Sequence, residues 1–269
     1  MVWTLINNSH FPSRIFTRPL DNNEVGFFYD AEFNGVADIV EHYMVQTTRD
    51  SLFEFSNVTR TWIALKRIFP LLGATTKETD YETTSASFTV AEADLAVIRP
   101  GEVDILSTAS EGEVHNFVEQ LTSGPRQLSP NLLSRVYIHS RKDNPGLYHV
   151  VIQTAHMIID GVSLMTLVRT FFDILSLPPT THIPSLKARL ALCVGSENLS
   201  PHRDLPLSRK RWRQAIGWVI HHIREHKIQV CMSWLDLSTS YTYQPSRVAR
   251  PSRVNSQRIR LIDFRGPEE

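Results

Sequence analysis

LLSRVYIHS (132–140), RKDNPG (141–146) and LYHVVIQTAHMIIDGVSLMTLVRTFFDIL (147–175) form the stretch whose reading decides the fold. Two runs rich in β-branched and aromatic residues flank an Asp-Asn-Pro-Gly turn, the pattern of an antiparallel hairpin. Val150, Val151 and Ile152 are apolar without alternation, so the second strand is expected to be covered on both faces. The chain then turns through HMIIDG into a segment whose Val162, Met165, Leu167, Val168, Phe171, Phe172 and Leu175 predict a largely apolar helix. The order is strand, short polar turn, buried helix, which places His156 at a strand exit and Asp160 at a helix start.

Outward from this core, Val36, Ile39, Val40, Tyr43 and Met44 recur at helical spacing behind Asn34, so 34–48 reads as an amphipathic helix. A second helix is expected from about 57, with Val58, Trp62, Leu65 and Phe69 on one face, Ser56 or Asn57 as its cap, and Pro70 as its stop. Residues 80 to 110 suggest one or two strands, followed by a short helix over 111–122 built on Val114, Phe117, Val118 and Leu121. The proline-rich and polar stretch 178–208 reads as a long crossing connection. Ser208 then caps a helix with Trp212, Ile216, Val219, Ile220 and Ile223, and QRIRLIDF (257–264) is a candidate strand.

Composition sets the class. With 42% apolar and 21% charged residues over 269 positions, the chain can bury a sizeable core. Two cysteines, Cys193 and Cys231, fit neither a disulfide framework nor a zinc ribbon. No leader pattern or long apolar run is apparent, so a cytoplasmic protein without membrane attachment is expected. Lys+Arg and Asp+Glu balance at 28 each, but residues 201–269 hold 13 basic against 6 acidic side chains, leaving 15 against 22 before them. The arginines 247, 250, 253, 258 and 260 lack any accompanying nucleic-acid-binding motif, so a solvated segment is the better reading and no nucleic acid is expected. His222 and His226 share a helical face, yet no third ligand stands at recognisable spacing, so no metal is expected. Gly-rich phosphate loops and a G-x-S-x-G elbow are absent from the sequence, which argues against nucleotide cofactors and serine-hydrolase chemistry.

The chemistry is concentrated in HMIIDG. Imidazole titrates near neutrality, so His156 at a strand exit can take a proton from a hydroxyl or amine attacking a carbonyl. Asp160 can orient the turn through a capping or charged hydrogen bond, and Gly161 lets the chain turn and a ligand approach. The same residues also fit a structural histidine and an ordinary N-cap.

TAHMIIDGVSLMTLVRTFFDIL (154–175) resembles the His-x-x-x-Asp-Gly segment of the chloramphenicol-acetyltransferase-like superfamily, which includes acyl-CoA-dependent alcohol acyltransferases and peptide-synthetase condensation domains. RPLDNNE (18–24), a helix ending RIFPLL (67–72), the hairpin and the long apolar helix follow that family's amino-terminal lobe in order, over about residues 15 to 180. SRKRWRQAIGWVI (208–220) and SRVNSQRIRL (252–261) more faintly resemble the linker helix and second-lobe entry of fungal alcohol acyltransferase-like proteins. The resemblance implies an α/β fold, a mixed sheet packed against helices, with residues 1–180 as the lobe, 181–207 as a crossing linker and 208–269 as a linker helix and the start of a second lobe. It implies His156 as the general base. It makes Asp160 architectural and paired with an arginine, for which Arg18 and Arg135 are both candidates.

Condensation domains usually carry a second histidine just before the catalytic one. Ala155 stands there, which favours acyl-CoA as a cosubstrate, a small-molecule acceptor and no bound cofactor. Family members enclose their tunnel between two lobes, and the later Asp-Phe-Gly-Trp-Gly segment of plant-type members is absent; DFRG (263–266) is no substitute for it. A complementary lobe or self-association is therefore expected, with an inactive truncated remnant or interaction module, or a condensation-type domain using carrier-protein thioesters, as the alternatives.

Overall fold

The computed structural model describes residues 2–6, 13–35, 37–80, 85–108, 110–177 and 183–195, strand residues 259–264, and scattered residues between 206 and 219. Residues 1–197 together with 255–269 form one compact unit and residues 198–254 another.

In the first unit, strands β1 (Thr4–Ile6) and β2 (Ile15–Pro19) lead into helix α1 (Asn22–Asn34). Strand β3 (Asp38–Thr47), helix α2 (Phe55–Ile68), and strands β4 (Thr75–Asp80), β5 (Ser85–Ala91) and β6 (Val103–Thr108) follow. Then come helix α3 (Glu111–Ser123), the hairpin β7 (Ser134–Arg141) and β8 (Leu147–Ala155), α4 (Gly161–Ser176), α5 (Leu186–Leu190) and β9 (Ile259–Phe264). A four-stranded sheet runs β1-β2-β5-β4 and a five-stranded sheet β6-β7-β8-β3-β9. The larger sheet is mixed, because β6 runs parallel to β7 and β9 parallel to β3 while the central pairs are antiparallel.

The hairpin stands where the sequence puts it. Gly146 in its turn has φ +84 and gives its carbonyl to the Thr47 amide at 2.9 Å; a Cβ there would lie 2.7 Å from the Thr47 carbonyl oxygen, so glycine is required twice over. Val150 and Ile152 face the core beneath α2 and α4, whereas Val151 faces α3. Trp62, Leu65, Leu164 and Phe171 fill the first of these layers with no exposed surface. The expected mixed sheet packed against helices is therefore present.

Residues 34–48 are not a helix. Asn34 closes α1 instead, Gly35 caps it in the left-handed conformation (φ 61), and 38–47 is a strand. The error has a physical cause: both faces of β3 are covered, Tyr43 and Val45 against α2 and α4, Val40 against α3, so apolar residues fall on both parities and mimic a helical period. Helix α2 begins at Phe55 behind Glu54, with no side-chain cap, rather than behind Ser56 or Asn57. The 80–110 region holds the two strands β5 and β6, as expected, while β4, over Thr75–Asp80, precedes it and was not anticipated. Part of the supposed unpacked connection is folded: Ser185 caps α5, whose Leu186 and Leu190 are buried beside Phe16 and Leu20. The helix expected after Ser208 falls largely outside the described residues; Trp212, Ile216 and Val219 within it are helical and exposed. His222, His226 and Arg247, Arg250, Arg253 and Arg258 also lie outside them.

Candidate functional site

Strand β8 ends at Ala155, and a single 3-10 turn, His156–Ile158, carries the chain to α4. The His156 amide donates to the Ala37 carbonyl at 2.9 Å, fixing the turn to the segment that enters β3. Ala37 itself holds φ 67, a conformation an alanine adopts at a cost. The imidazole lies flat on Phe27 of α1, with ring centroids 4.2 Å apart and planes 9° from parallel. Its Nδ1 is buried with no hydrogen-bond partner among the described residues.

Helix α1 is in turn fixed by charge. Asp21 accepts from the Glu24 amide at 2.8 Å and Glu24 accepts from the Asp21 amide at 2.8 Å, a reciprocal capping box. The same Glu24 carboxylate takes a two-pronged pair from Arg18 at 2.7 and 2.8 Å. Arg18 is completely buried, its guanidinium 5.4 Å from the Trp3 ring centroid and 5.2 Å from that of Phe88. At the other end of α1, Arg126 bridges Glu32 and Asp38, tying the helix to β3. The buried pair, the cap and the bridge together determine where Phe27, and therefore the face of His156, lies.

Asp160 sits at the N-cap of α4 and accepts from the Ser163 amide at 2.7 Å. That hydrogen bond holds its carboxyl below the usual carboxylate range. Neither candidate arginine reaches it: Arg18 is paired with Glu24 and Arg135 with Asp104 at 2.7 Å. Gly161 opens the helix, and a Cβ built there meets no atom within 4 Å. The aspartate therefore acts on the turn through the helix backbone. Asp160→Ala is expected to cost ~1 kcal/mol of stability through the lost cap, read as a small fall in the thermal midpoint; an unchanged midpoint would remove that role.

No protein-family model and no curated protein matches the chain. Solved structures do. The condensation domain of the monacolin K polyketide synthase MokA superposes with a TM-score of 0.52 at 10% identity, over 73% of this chain and 41% of that one. The fold is that of a condensation-domain lobe. The starter condensation domain of the rhizomide synthetase RzmA gives a TM-score of 0.51 at 12% identity, over 76% of this chain and 49% of that one. A four-domain nonribosomal peptide synthetase, holo-AB3403 bound to AMP and glycine, gives 0.50 at 13% identity, over 76% of this chain and 14% of that one. The chain thus spans less than half the length of each of these structures, and at such identities the likeness is one of fold.

Within this lobe the residues that sequence reasoning passed over are Phe27, Ala37 and the Arg18–Glu24 pair. Asp-x-x-Glu at 21–24 was a legible capping signal, but nothing local to Phe27 marks a stacking partner 129 positions from His156. Among the described residues no group of three His, Cys, Asp or Glu side chains is arranged to hold a metal, and no helix is long and apolar enough to cross a membrane.

Proposed function

We propose that the chain is the histidine-bearing lobe of a thioester-dependent acyltransferase, and that His156 takes the proton from a hydroxyl or amine as it attacks the thioester carbonyl. The observation that carries this reading is the imidazole at the exit of β8, stacked on Phe27 with Nδ1 buried and unpartnered among the described residues. A ring held on one face by Phe27 and on its backbone by Ala37 is preorganised, and positioning of this kind lowers an acyl-transfer barrier without a covalent intermediate. The attacking atom loses its proton to Nε2, the carbonyl carbon gains the new bond, and the thiolate leaves and recovers a proton from the imidazolium.

The donor we favour is acyl-CoA and the acceptor a small molecule. Ala155, fully buried with its amide donating to the Leu133 carbonyl, occupies the place where condensation domains usually carry a further histidine. The fold neighbours support the second reading, in which the donor is a carrier-protein thioester. A tunnel wall supplied by a complementary lobe or a second copy belongs to either reading, since positioning and exclusion of water both depend on enclosure. Free-thiol release from acetyl-CoA and from acylated carrier protein, measured with a panel of small alcohols and amines, separates the two donors. Acceptor-dependent release from acetyl-CoA is expected. Release from the carrier protein alone would transfer the assignment to condensation chemistry, and release from neither would leave the lobe an interaction module.

A further inference from the structure

Away from His156, beneath α3, the larger sheet buries histidines from its central strands. His42 of β3, His139 of β7 and His149 of β8 are 3%, 1% and 0% exposed. His115 of α3 closes over His42 with ring centroids 6.3 Å apart. Hydrogen bonds fix the tautomers. Arg141 Nη1 lies 3.2 Å from His149 Nε2, and because a guanidinium only donates, that nitrogen is the unprotonated one. His149 Nδ1 then carries the hydrogen and donates to His42 Nε2 at 2.8 Å. His42 keeps its own hydrogen on Nδ1, which is buried without a partner among the described residues. His139 packs on the Phe117 ring of α3, centroids 4.6 Å apart, and neither of its nitrogens has a partner among the described residues.

Each of these rings is neutral by construction, and a further proton has no acceptable place. On His149 it would face the Arg141 guanidinium. On His42 it would set donor against donor across 2.8 Å. On His139 it would create a buried charge with no counter-charge beside it among the described residues. The carboxylates that face the cluster are engaged: Asp143 pairs with Arg141 at 2.7 Å, and Glu111 of α3 lies 3.5 Å from Arg141 and 3.8 Å from His115. Tyr137 of β7 packs on Phe117, and the Arg135–Asp104 pair beyond it is closed on itself.

We propose that this histidine network is an acid-sensitive latch on helix α3, which seats the helix while the rings are neutral and releases it when they take up protons. Phe117, Gln120 and Leu121 of α3 line a cavity of about 460 Å³ with Tyr137 and Arg135, so release of the helix removes one wall of that cavity. Burial pushes His42, His139 and His149 each down to about 4, against an ordinary value of 6.5. A released ring titrates near the ordinary value, so the open form binds more protons than the closed one between these limits. The latch is therefore fully set above about pH 6.5 and is lost progressively as pH falls towards 4. Each histidine changes the closed-to-open ratio by up to ~10-fold per pH unit inside that window, and the three together by up to ~1,000-fold.

Amide hydrogen exchange between pH 7.5 and 4.5, corrected for the intrinsic rate, tests the latch on the whole chain. Protection of 111–123 is expected to fall by at least ~10-fold per pH unit below about 6.5 while 150–155 of β8 stays protected. His139→Leu, which sacrifices no hydrogen bond, is expected to reduce the slope by about one proton. Protection of α3 that is flat with pH, loss of α3 and β8 at one common midpoint, or an unchanged slope in His139→Leu would each overturn the proposal.

Discussion

Replacing Glu24 by alanine is expected to destabilise the lobe by ~3–5 kcal/mol, because it strands a fully buried guanidinium without its counter-charge. The carboxylate serves two structures at once. It pairs with Arg18 through both oxygens and it completes the cap of α1 by accepting from the Asp21 amide. Glu24→Gln keeps a group able to accept at the cap and removes the charge, so its loss should fall between wild type and Glu24→Ala. At ~2–4 °C per kcal/mol for a unit of this size, Glu24→Ala should lower the thermal midpoint by roughly 6–20 °C. A fall of under ~2 °C would mean that Arg18 finds another partner and that α1 is held mainly by apolar packing.

The consequence extends to the candidate site. Phe27 is carried by α1 and reaches His156 only in the helix orientation that Arg18, Glu24 and Arg126 impose.

Much of the lobe was legible because its decisive elements are locally consistent. The β7–β8 hairpin carries both strand composition and a turn sequence that needs Gly146, and α4 carries a cap at Asp160 with an apolar stripe behind it. Strand β3 was misread because it is covered on both sides, so the alternation that identifies a half-buried strand is missing. Strand β9 could be identified as a strand, but its pairing alongside β3, more than 200 positions earlier, has no local signal. The site shows the same division. His156 and Asp160 stand in a short motif, whereas Phe27, Ala37 and the true partners of Arg18 and Arg135 arise from contacts distant in sequence. His139 and His149 fall in strands that read simply as strands and His42 in the strand that reads as a helix, and only the register His139 opposite His149, with His42 on the neighbouring strand, brings them together.

His156→Ala is expected to lower thioester turnover by ~10²–10⁴-fold, the contribution of a positioned general base. This corresponds to ~3–5 kcal/mol of barrier at 1.36 kcal/mol per tenfold. The fold should survive the change. Alanine keeps the amide that donates to Ala37, and what is lost is the stack on Phe27, worth ~0.5–1.5 kcal/mol. A loss of activity far larger than the loss of stability is the signature of a base, whereas a structural histidine would show the reverse.

The most direct test is therefore acceptor-dependent free-thiol release from an acyl thioester, measured side by side for the protein as produced in its native cells and for its His156→Ala variant, with thermal midpoints recorded for both. Release that falls at least ~100-fold while the midpoint moves by a few degrees is the predicted result. Equal release from the two proteins would contradict it and remove His156 from the chemistry.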